Sequence, residues 1–397
     1  MKLNKNYENL NNNYLFVTIK NKVEEFRGKN LDKKILNLGI GDVTLPLSES
    51  ISKRLSKNSI DMADINRFKG YCDEQGIKEL REDIKNYYVK YNIKLDINEI
   101  FVSDGACSDL GNILDIFEDN IKVVIPTPVY PAYVDVNIMK GNKIEYIYGN
   151  EENKFLPMPN YNIKCDLIYL CSPNNPTGST YTKKQLEVWI EYALANKAII
   201  IFDSAYQIFI KDKDLPKSIY EIKNSEKCCI EICSFSKTAG FTGLRCGYTI
   251  VPKKIDEELV NKMWLRRQST KFNGASYLIQ EGAREIFTEK GLREVNKNIE
   301  YYLENARLLK SCLNNINIWN IGGENSPYIW VKCENKMKSW EFFDFLLNKF
   351  NIVCTPGIGF GKNADDFCRF SCFAKREDVE EVIKILNDYY NKWDVII

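Results

Sequence analysis

Residues 166–204 of this chain read DLIYLCSPNNPTGSTYTKKQLEVWIEYALANKAIIIFDS. The stretch begins and ends with nearly continuous apolar runs, 166–172 and 198–204, which are typical of strands in a sheet buried on both faces. Between them, residues 182–197 have the pattern of a helix, and a Thr and a Gln at its start have the spacing of a capping box. A helix between two such strands indicates a parallel sheet.

Similar apolar runs precede and follow this stretch. They are rich in Ile, Val, Leu and Cys, and they predict strands at 99–103, 122–126, 229–236 and 246–252. Strands that alternate with helices in this way indicate an α/β domain with a mostly parallel sheet.

The two ends of the chain differ from this middle. The first ~30 residues are polar and lack apolar periodicity, so they predict an arm. Helix-rich sequence at 254–272 and 276–312 is expected to connect the middle to the C-terminal part. There, amphipathic helices near 339–350 and 376–393, with shorter strand-like runs around them, predict a smaller α+β domain.

Composition limits the function classes. The 397 residues have a formal net charge of +1, so no basic field indicates a nucleic acid partner. No stretch of about 18 apolar residues predicts a membrane span, and the N-terminus lacks the apolar region of a secretory signal. The chain contains no His, which excludes Ser-His-Asp and Cys-His catalysis and His-ligated zinc. A general base must therefore be Lys, Asp, Glu, Tyr or Cys.

The 13 cysteines are scattered and odd in number, which argues against a complete disulfide framework and favours a reducing cytoplasm. Cys228, Cys229 and Cys233 could be metal ligands. Their apolar surroundings, EKCCIEICSFS, favour buried small hydrophobic residues instead, so we predict no metal site.

The strongest functional motif is SFSKTAGFTGLRCG, residues 234–247, at the end of a predicted strand. Ser234, Ser236 and Arg245 offer the neutral donors and the bidentate cation that a phosphate needs. Lys237 is not required for that task, and its value is as a nucleophilic amine for a carbonyl. The alternative interpretation is that Lys237 is a surface residue beside a Gly-rich turn. The presence of both serines, the Arg and the glycines at these spacings makes that alternative much less plausible.

Two further motifs follow predicted strands. Asp203, in DSAY, ends a buried strand where α/β sheets bind ligands, and its carboxylate could pair with a protonated aromatic nitrogen. Tyr206 could donate to a phenolic oxygen of the same ring. An Asp that caps a helix is the alternative. In SPNNPTG (172–178) two Asn lie in a stiff turn, and Asn175 is the residue to which we assign more than a structural role.

Weaker signals lie earlier in the chain. SDGACS (103–108) precedes a helical pattern, and a helix start suits a phosphate. Tyr130, in PTPVYPAY, could stack on a planar ring or be a core or turn residue with equal probability. GIGFGK (357–362) lacks the strand and helix of a P-loop and is interpreted as a Gly-rich loop.

With these motifs placed, the chain resembles the fold-type-I aminotransferases of the aspartate-aminotransferase superfamily, and among them the LL-diaminopimelate aminotransferase family. The resembling segments run over nearly the whole chain: LGIGDVTLPL (38–47), GY…EQG (70–76), YPAYVD (130–135), CSPNNPTG (171–178), DSAY (203–206), SFSKTAGFTGLR (234–245), RRQSTKFNGASY (266–277), SPYIWVK (326–332), SWEFFDFLL (339–347) and TPGIGFG (355–361).

The resemblance implies a large domain with a mostly parallel sheet of the seven-stranded type and a smaller α+β domain. The expected boundaries are 1–48 for the arm and part of the small domain, 49–290 for the large cofactor-binding domain, and 291–397 for the rest of the small domain. The expected assembly is a homodimer with shared active sites.

Pyridoxal 5′-phosphate is the cofactor that the resemblance implies, with Lys237, Asp203 and Tyr206 as catalytic residues. Lys237 is expected to bond covalently to it, Asp203 to pair with its ring nitrogen, and Tyr130 to stack on its ring. The full set expected to hold the cofactor is Ala106, Cys107, Tyr130, Asn175, Asp203, Tyr206, Ser234, Ser236, Lys237 and Arg245, with Tyr71 reaching the phosphate from the partner subunit.

An amino acid and a 2-oxo acid are the implied substrates. Arg369, in FCRFSCF, matches the Arg that binds the substrate α-carboxylate, and Glu74 lies in a segment that faces the neighbouring site. The set expected to contact substrate is Tyr14, Gly41, Tyr130, Asn175, Asn273, Arg369 and Glu74.

Cys107 departs from the family pattern, in which a substrate-binding Lys usually follows the Ala of the DGA turn. A thiol cannot supply that fixed charge to a distal carboxylate, and the loss costs a few kcal/mol if nothing replaces it. Transamination itself is unaffected, but substrate choice is open.

Three functions therefore remain. The first is an LL-diaminopimelate aminotransferase that uses L-glutamate, by resemblance, as amino donor and tetrahydrodipicolinate as acceptor. The second is a relative that acts on another amino acid, such as L-lysine. The third is a catalytically silent cofactor-binding protein, which the intact Lys237, Asp203 and Arg369 disfavour.

Overall fold

The structure is a computed structural model that describes residues 1–10, 14–39 and 41–390. In chain order its strands are β1 (Leu36–Asn37), β2 (Ile100–Ser103), β3 (Lys122–Thr127), β4 (Lys143–Tyr148), β5 (Leu167–Cys171), β6 (Ile199–Asp203), β7 (Cys229–Ser234), β8 (Gly247–Ile250), β9 (Asn320–Gly322), β10 (Tyr328–Lys332), β11 (Ile352–Val353), β12 (Thr355–Pro356) and β13 (Phe367–Ser371).

The α-helices of the same residues lie between and after these strands. They are α1 (Leu15–Lys29), α2 (Glu49–Asp61), α3 (Lys78–Val89), α4 (Ala106–Asn112), α5 (Pro131–Lys140), α6 (Lys183–Asn196), α7 (Phe235–Ala239), α8 (Leu259–Lys271), α9 (Tyr277–Arg284), α10 (Glu289–Asn315), α11 (Ser339–Phe350) and α12 (Arg376–Tyr390).

Among the described residues, the large sheet has seven strands in the order β2-β8-β7-β6-β5-β3-β4. The strands from β7 to β4 are parallel, whereas β8 is antiparallel to both of its neighbours. The predicted α/β fold with a mostly parallel sheet is therefore confirmed. The stretch quoted first supplies β5, α6 and β6, and Gln185 N donates to Thr182 Oγ1 at the start of α6.

The edge strand β4 was not predicted. Its sequence, KIEYIY, mixes charged and apolar residues, and none of its side chains is fully buried. The other edge strand, β2, is fully buried and has an apolar run, so it is the exposure of β4 that removes the apolar signal from its sequence.

The parallel strands bring the predicted motifs to one edge of the sheet. Tyr130, Asn175, Tyr206 and Lys237 follow the carboxyl ends of β3, β5, β6 and β7 within a few residues. Ligands bind at the carboxyl ends of strands in open α/β sheets, so the topology alone concentrates the polar side chains there.

Two smaller sheets belong to the other part of the fold. One is antiparallel with the order β12-β13-β10-β9, and the other pairs β1 with β11 in parallel. With α10, α11 and α12 they enclose a separate apolar core, which confirms the predicted smaller α+β unit. The domain boundaries at 48 and 290 stay a prediction, and the second falls just inside α10.

The N-terminal arm contains a helix that the sequence prediction lacked. Leu15, Ile19 and Phe26 lie on one face of α1 and are buried in the same core as the small sheets. The prediction that the first ~30 residues have no apolar periodicity was wrong for this segment, because three apolar residues four and seven positions apart are enough for one helix face.

The helix predicted near 376–393 extends past residue 390, the last residue that the structure describes. α12 begins at the predicted residue 376, whereas 391–393 of the predicted helix lie outside the described range. No helix among residues 1–10, 14–39 and 41–390 is long and apolar enough to cross a membrane.

Candidate active site

A cavity of about 690 Å³ opens at the carboxyl edge of the large sheet and is closed on one side by α1 and the small sheets. Most of the predicted site residues line it. They are Gly41, Ala106, Cys107, Tyr130, Asn175, Asp203, Tyr206, Ser234, Ser236, Lys237, Arg245 and Arg369.

Lys237 lies in α7, a short helix directly after β7. Ser234 begins the helix by accepting a hydrogen bond from Ser236 N, and Gly240 ends it with a left-handed backbone at φ 78°. The Lys237 amine donates to Gly41 O. Burial lowers the pKa of Lys237 to about 8; Arg369 and Arg245 act in the same direction and Asp42 opposes them. A lysine with this pKa is neutral in a sizeable fraction of molecules near neutral pH, as a nucleophile or base must be.

Asp203 is a buried carboxylate at the end of β6. Its Oδ2 accepts a hydrogen bond from Tyr133 Oη at 2.5 Å, and its Oδ1 accepts one from Ala205 N at 2.9 Å. Burial raises the pKa of Asp203, which the two hydrogen bonds oppose. Within the described part of the chain no cation pairs with it. A buried carboxylate in this state is suited to receive a cationic group from a ligand.

Arg369 is the matching buried cation. It lies on β13 with 1% of its surface exposed, and its guanidinium is 4.4 Å from the centre of the Tyr328 ring. Nη1 donates to Asn175 Oδ1 at 2.7 Å, Nη2 donates to Gly39 O at 2.9 Å and to Thr355 Oγ1, and Nε has no partner among the described residues. All of these acceptors are neutral, so the buried guanidinium keeps an uncompensated positive charge that could bind a carboxylate.

Ser234, Ser236 and Arg245 form a cradle beside the start of α4. Arg245 Nη1 donates to Ser236 Oγ at 3.2 Å, and no acidic side chain of the described chain pairs with it. Gly105 has φ 128°, a backbone conformation that residues with a Cβ rarely adopt, and Arg245 Nη2 packs 2.7 Å from where a Cβ would lie. The N–H groups of Ala106 and Cys107 begin α4, where backbone donors have no acceptor within the helix.

Tyr206 and Tyr130 both line the cavity. Tyr206 is buried, and its hydroxyl is 2.9 Å from that of Tyr328. Tyr130 is the residue before α5, and it hydrogen-bonds Tyr14 and lies close to Cys107. Burial raises the pKa of Tyr130, and Cys107 and Tyr14 raise it further. Hydroxyl and thiol groups of Tyr14, Tyr130 and Cys107 therefore lie together here. A lysine at position 107 would instead place a positive charge at this point.

Four predicted site residues, Tyr14, Tyr71, Glu74 and Asn273, are not among those that line the cavity. Tyr71 is 94% exposed, Glu74 accepts a hydrogen bond from Ser269 Oγ, and Asn273 has a left-handed backbone just after α8. Asp73 O would lie 3.2 Å from a Cβ at Gly274, so the two segments pack against each other. Tyr14 is exposed, but it hydrogen-bonds Tyr130, which lines the cavity.

The structure also identifies residues that sequence reasoning missed. Tyr133, Tyr328, Gly39 and Thr355 contact Asp203, Tyr206 or Arg369 directly. Tyr133 and Tyr328 lie in the quoted segments YPAYVD and SPYIWVK, but neither segment has a spacing that indicates their partners.

Cys228, Cys229 and Cys233 are all buried, as predicted from EKCCIEICSFS. Cys228 and Cys229 belong to an apolar core, whereas Cys233 Sγ lies against the polar groups of Ser204 and Glu231. Among the described residues no group of His, Cys, Asp and Glu is arranged to hold a metal ion.

Comparison with known proteins agrees with this geometry. The sequence pattern of the family described as aminotransferase class I and II matches residues 33–386. The chain therefore belongs to the class I and II aminotransferases, which are pyridoxal-phosphate-dependent transaminases.

Relatives point to one branch of this family. The LL-diaminopimelate aminotransferase of Prochlorococcus marinus is 43% identical over 98% of this chain and 100% of its own length. The protein of the same name from Azobacteroides pseudotrichonymphae is 44% identical over 96% and 97%. The solved L,L-diaminopimelate aminotransferase of Chlamydomonas reinhardtii is 37% identical over 98% of this chain and 99% of its own, with a TM-score of 0.92.

Proposed function

We propose that this chain transfers an amino group between LL-diaminopimelate and 2-oxoglutarate with pyridoxal 5′-phosphate as cofactor. One observation supports the chemistry above all. Lys237 lies in a cavity with a buried anion, Asp203, and a buried cation, Arg369, neither of which has a counter-ion in the described chain. The names of the relatives support the choice of substrate.

The donor set fits this cofactor. Ser234, Ser236, Arg245 and the N–H groups of Ala106 and Cys107 would hold its phosphate, because the cradle is cationic and lacks an anion of its own. Asp203 would pair with the ring nitrogen, Asn175 and Tyr206 would donate to the ring oxygen, and Tyr130 would stack on the ring. When bound, the cofactor supplies an aldehyde for amine exchange and a ring that withdraws electrons from the substrate Cα.

Lys237 performs the proton transfer in this proposal. Its neutral amine takes the proton from the Cα of the bound amino acid, which a lysine of ordinary pKa could not do efficiently at neutral pH. The chain has no His that could do this instead. The contact from the Lys237 amine to Gly41 O keeps the amine near the side of the cavity where Arg369 lies.

Arg369 binds and orients the substrate α-carboxylate. Its hydrogen bonds to Asn175 and Gly39, together with the Tyr328 ring, fix the plane of the guanidinium before substrate arrives. A prearranged cation loses little conformational freedom on binding, so more of the charge-assisted interaction contributes to affinity.

We also infer a homodimer with shared active sites. Tyr71, Glu74 and Asn273 have predicted roles at the cofactor or substrate, yet all three lie on a surface outside this chain's own cavity. A second copy that brings this surface to the cavity would complete the site, as a two-fold symmetric interface does for both subunits at once. The cytoplasmic location stays a prediction from cysteine usage.

A second candidate substrate is favoured by Cys107. This residue is exposed in the cavity and carries no fixed charge there. An amino acid with a distal cation, such as L-lysine, or with another distal group is therefore the alternative.

An amino-donor screen tests the proposal. Purified enzyme with cofactor is given LL-diaminopimelate, L-lysine or L-glutamate in the absence of acceptor, and loss of the visible absorbance of the bound cofactor is followed. Conversion by LL-diaminopimelate and by L-glutamate is expected. Conversion by L-lysine without LL-diaminopimelate would support the alternative, and absence of any cofactor band that borohydride abolishes would support a silent binding protein.

A further inference from the structure

The Asp203 carboxylate receives its second hydrogen bond from Tyr133, a residue with no assigned function. We infer that Tyr133 is a positioning residue, which keeps Asp203 ionised and aimed at the ring nitrogen of the cofactor. This inference rests on the proposed function, because it assumes that Asp203 meets a protonated ring nitrogen.

The contact geometry supports a specific role. Tyr133 Oη lies 2.5 Å from Asp203 Oδ2, within the range of charge-assisted hydrogen bonds from a hydroxyl to a carboxylate. Ala205 N donates to the other oxygen from the turn after β6. The carboxylate is thus held from two directions, by a helix side chain and by its own turn, and it cannot rotate without losing both bonds.

The Tyr133 ring is itself fixed. It is fully buried, stacks on Tyr169 with ring centres 5.1 Å apart, and meets Tyr130 edge-on at 5.8 Å. Asn137 Nδ2 donates to the Tyr133 carbonyl within α5. Tyr130 directly precedes α5 and Tyr133 lies in its first turn, so the start of one helix places both the proposed stacking residue and the residue that orients Asp203.

The Tyr133 hydroxyl also favours the ionised form of the Asp203 carboxylate. Burial raises the pKa of Asp203, and the Tyr133 hydrogen bond acts against that rise. The pKa of Tyr133 is itself raised well above its usual value by burial, so the hydroxyl stays protonated and remains a donor. Without it, Asp203 takes up a proton more readily in the empty site and must release that proton before it can pair with a cationic ring.

The test compares two ligands in two variants. Tyr133→Phe removes the hydroxyl and keeps the ring, and Tyr169→Phe is the control, because its hydroxyl donates to Leu110 O and does not contact Asp203. Dissociation constants are measured for pyridoxal 5′-phosphate and for its carbocyclic analogue, which has CH in place of the ring nitrogen. Unfolding temperatures are measured for every variant.

We expect Tyr133→Phe to weaken cofactor binding by roughly tenfold, as for loss of a hydrogen bond to a charged group, while binding of the analogue is unchanged. Tyr169→Phe should affect both ligands equally. Equal weakening of both ligands in Tyr133→Phe would mean a merely structural role and would overturn the inference, as would no change in either.

A second variant keeps the test decisive if Tyr133→Phe does not fold. Tyr133→His retains a ring donor, and in a folded protein it should restore most of the preference for the natural cofactor over the analogue. Failure to restore it would count against the inference. A wild-type protein that binds no cofactor would contradict the proposed function itself, which separates the two failures.

Discussion

Arg369 Nη1 donates a 2.7 Å hydrogen bond to Asn175 Oδ1, which joins β13 of the small antiparallel sheet to the loop after β5 of the large sheet. The bond uses the acceptor oxygen of the Asn175 amide and leaves its nitrogen as a donor for the cofactor's ring oxygen. Asn175 thereby links the proposed cofactor site with the proposed carboxylate site. A charge introduced at position 175 would interact directly with the Arg369 guanidinium.

Asn175→Asp should raise KM for both amino and oxo acids by about tenfold or more. The new carboxylate would form an ion pair with buried Arg369 and compete with the substrate carboxylate. Steady-state kinetics with each substrate measures the effect. Asn348→Asp on the exposed face of α11 adds the same charge away from the cavity and should leave both KM values unchanged. Unchanged KM values in Asn175→Asp would contradict the assignment of Arg369.

The pH dependence of cofactor capture should report the pKa of Lys237. Only a neutral amine attacks an aldehyde, and burial lowers this pKa to about 8, so the rate of covalent attachment to apoenzyme should rise with pH and level off above about 8. Stopped-flow absorbance follows the reaction. Lys237→Ala should show no covalent capture at any pH, whereas Lys262→Ala, on the exposed face of α8, should behave as wild type. A rate still rising near 10.5, the ordinary value, would contradict the lowered pKa.

Cys107→Lys should shift donor preference toward amino acids with a distal carboxylate. The added charge lies in the cavity beside Tyr130 and provides a charge-assisted contact, so kcat/KM for LL-diaminopimelate relative to L-lysine should rise by about tenfold or more. Ser108→Lys adds the same charge one residue further along α4, outside the cavity, and is the matched control. An unchanged ratio would mean that position 107 does not select the distal group.

Mixing two defective variants should test the shared sites. When equal amounts of Lys237→Ala and Tyr71→Ala form random dimers, about half of the dimers are hybrids. Each hybrid has one intact site, with Lys237 from one chain and Tyr71 from the other. About a quarter of wild-type activity should therefore return above that of Tyr71→Ala alone. Lys237→Ala mixed with Arg369→Ala is the control, because both residues line the cavity of one chain and no intact site can form. Recovery in neither mixture would argue against a role for Tyr71 across the interface.

The sequence by itself determined the α/β class and predicted the chemistry at Lys237. Buried strands and the helix between them have distinct local patterns, so residues 166–204 could be interpreted as strand, helix and strand without knowledge of the rest. Ser234, Ser236, Lys237 and Arg245 lie in one segment, and their spacing carries the signal of a phosphate cradle beside a nucleophilic amine. The missing histidines excluded the competing mechanisms.

Only the tertiary structure decided which of these groups touch. Tyr133 meets Asp203 across 70 residues of chain, Tyr206 meets Tyr328 across 122, and Arg369 meets Asn175 across 194. Such pairs follow from the order of strands in two different sheets and from the packing of α5 against the large sheet, and no local periodicity encodes them. Their energetic consequence is a buried carboxylate and a buried guanidinium, neither with a counter-ion among the described residues, and it exists only once those distant segments exclude water together.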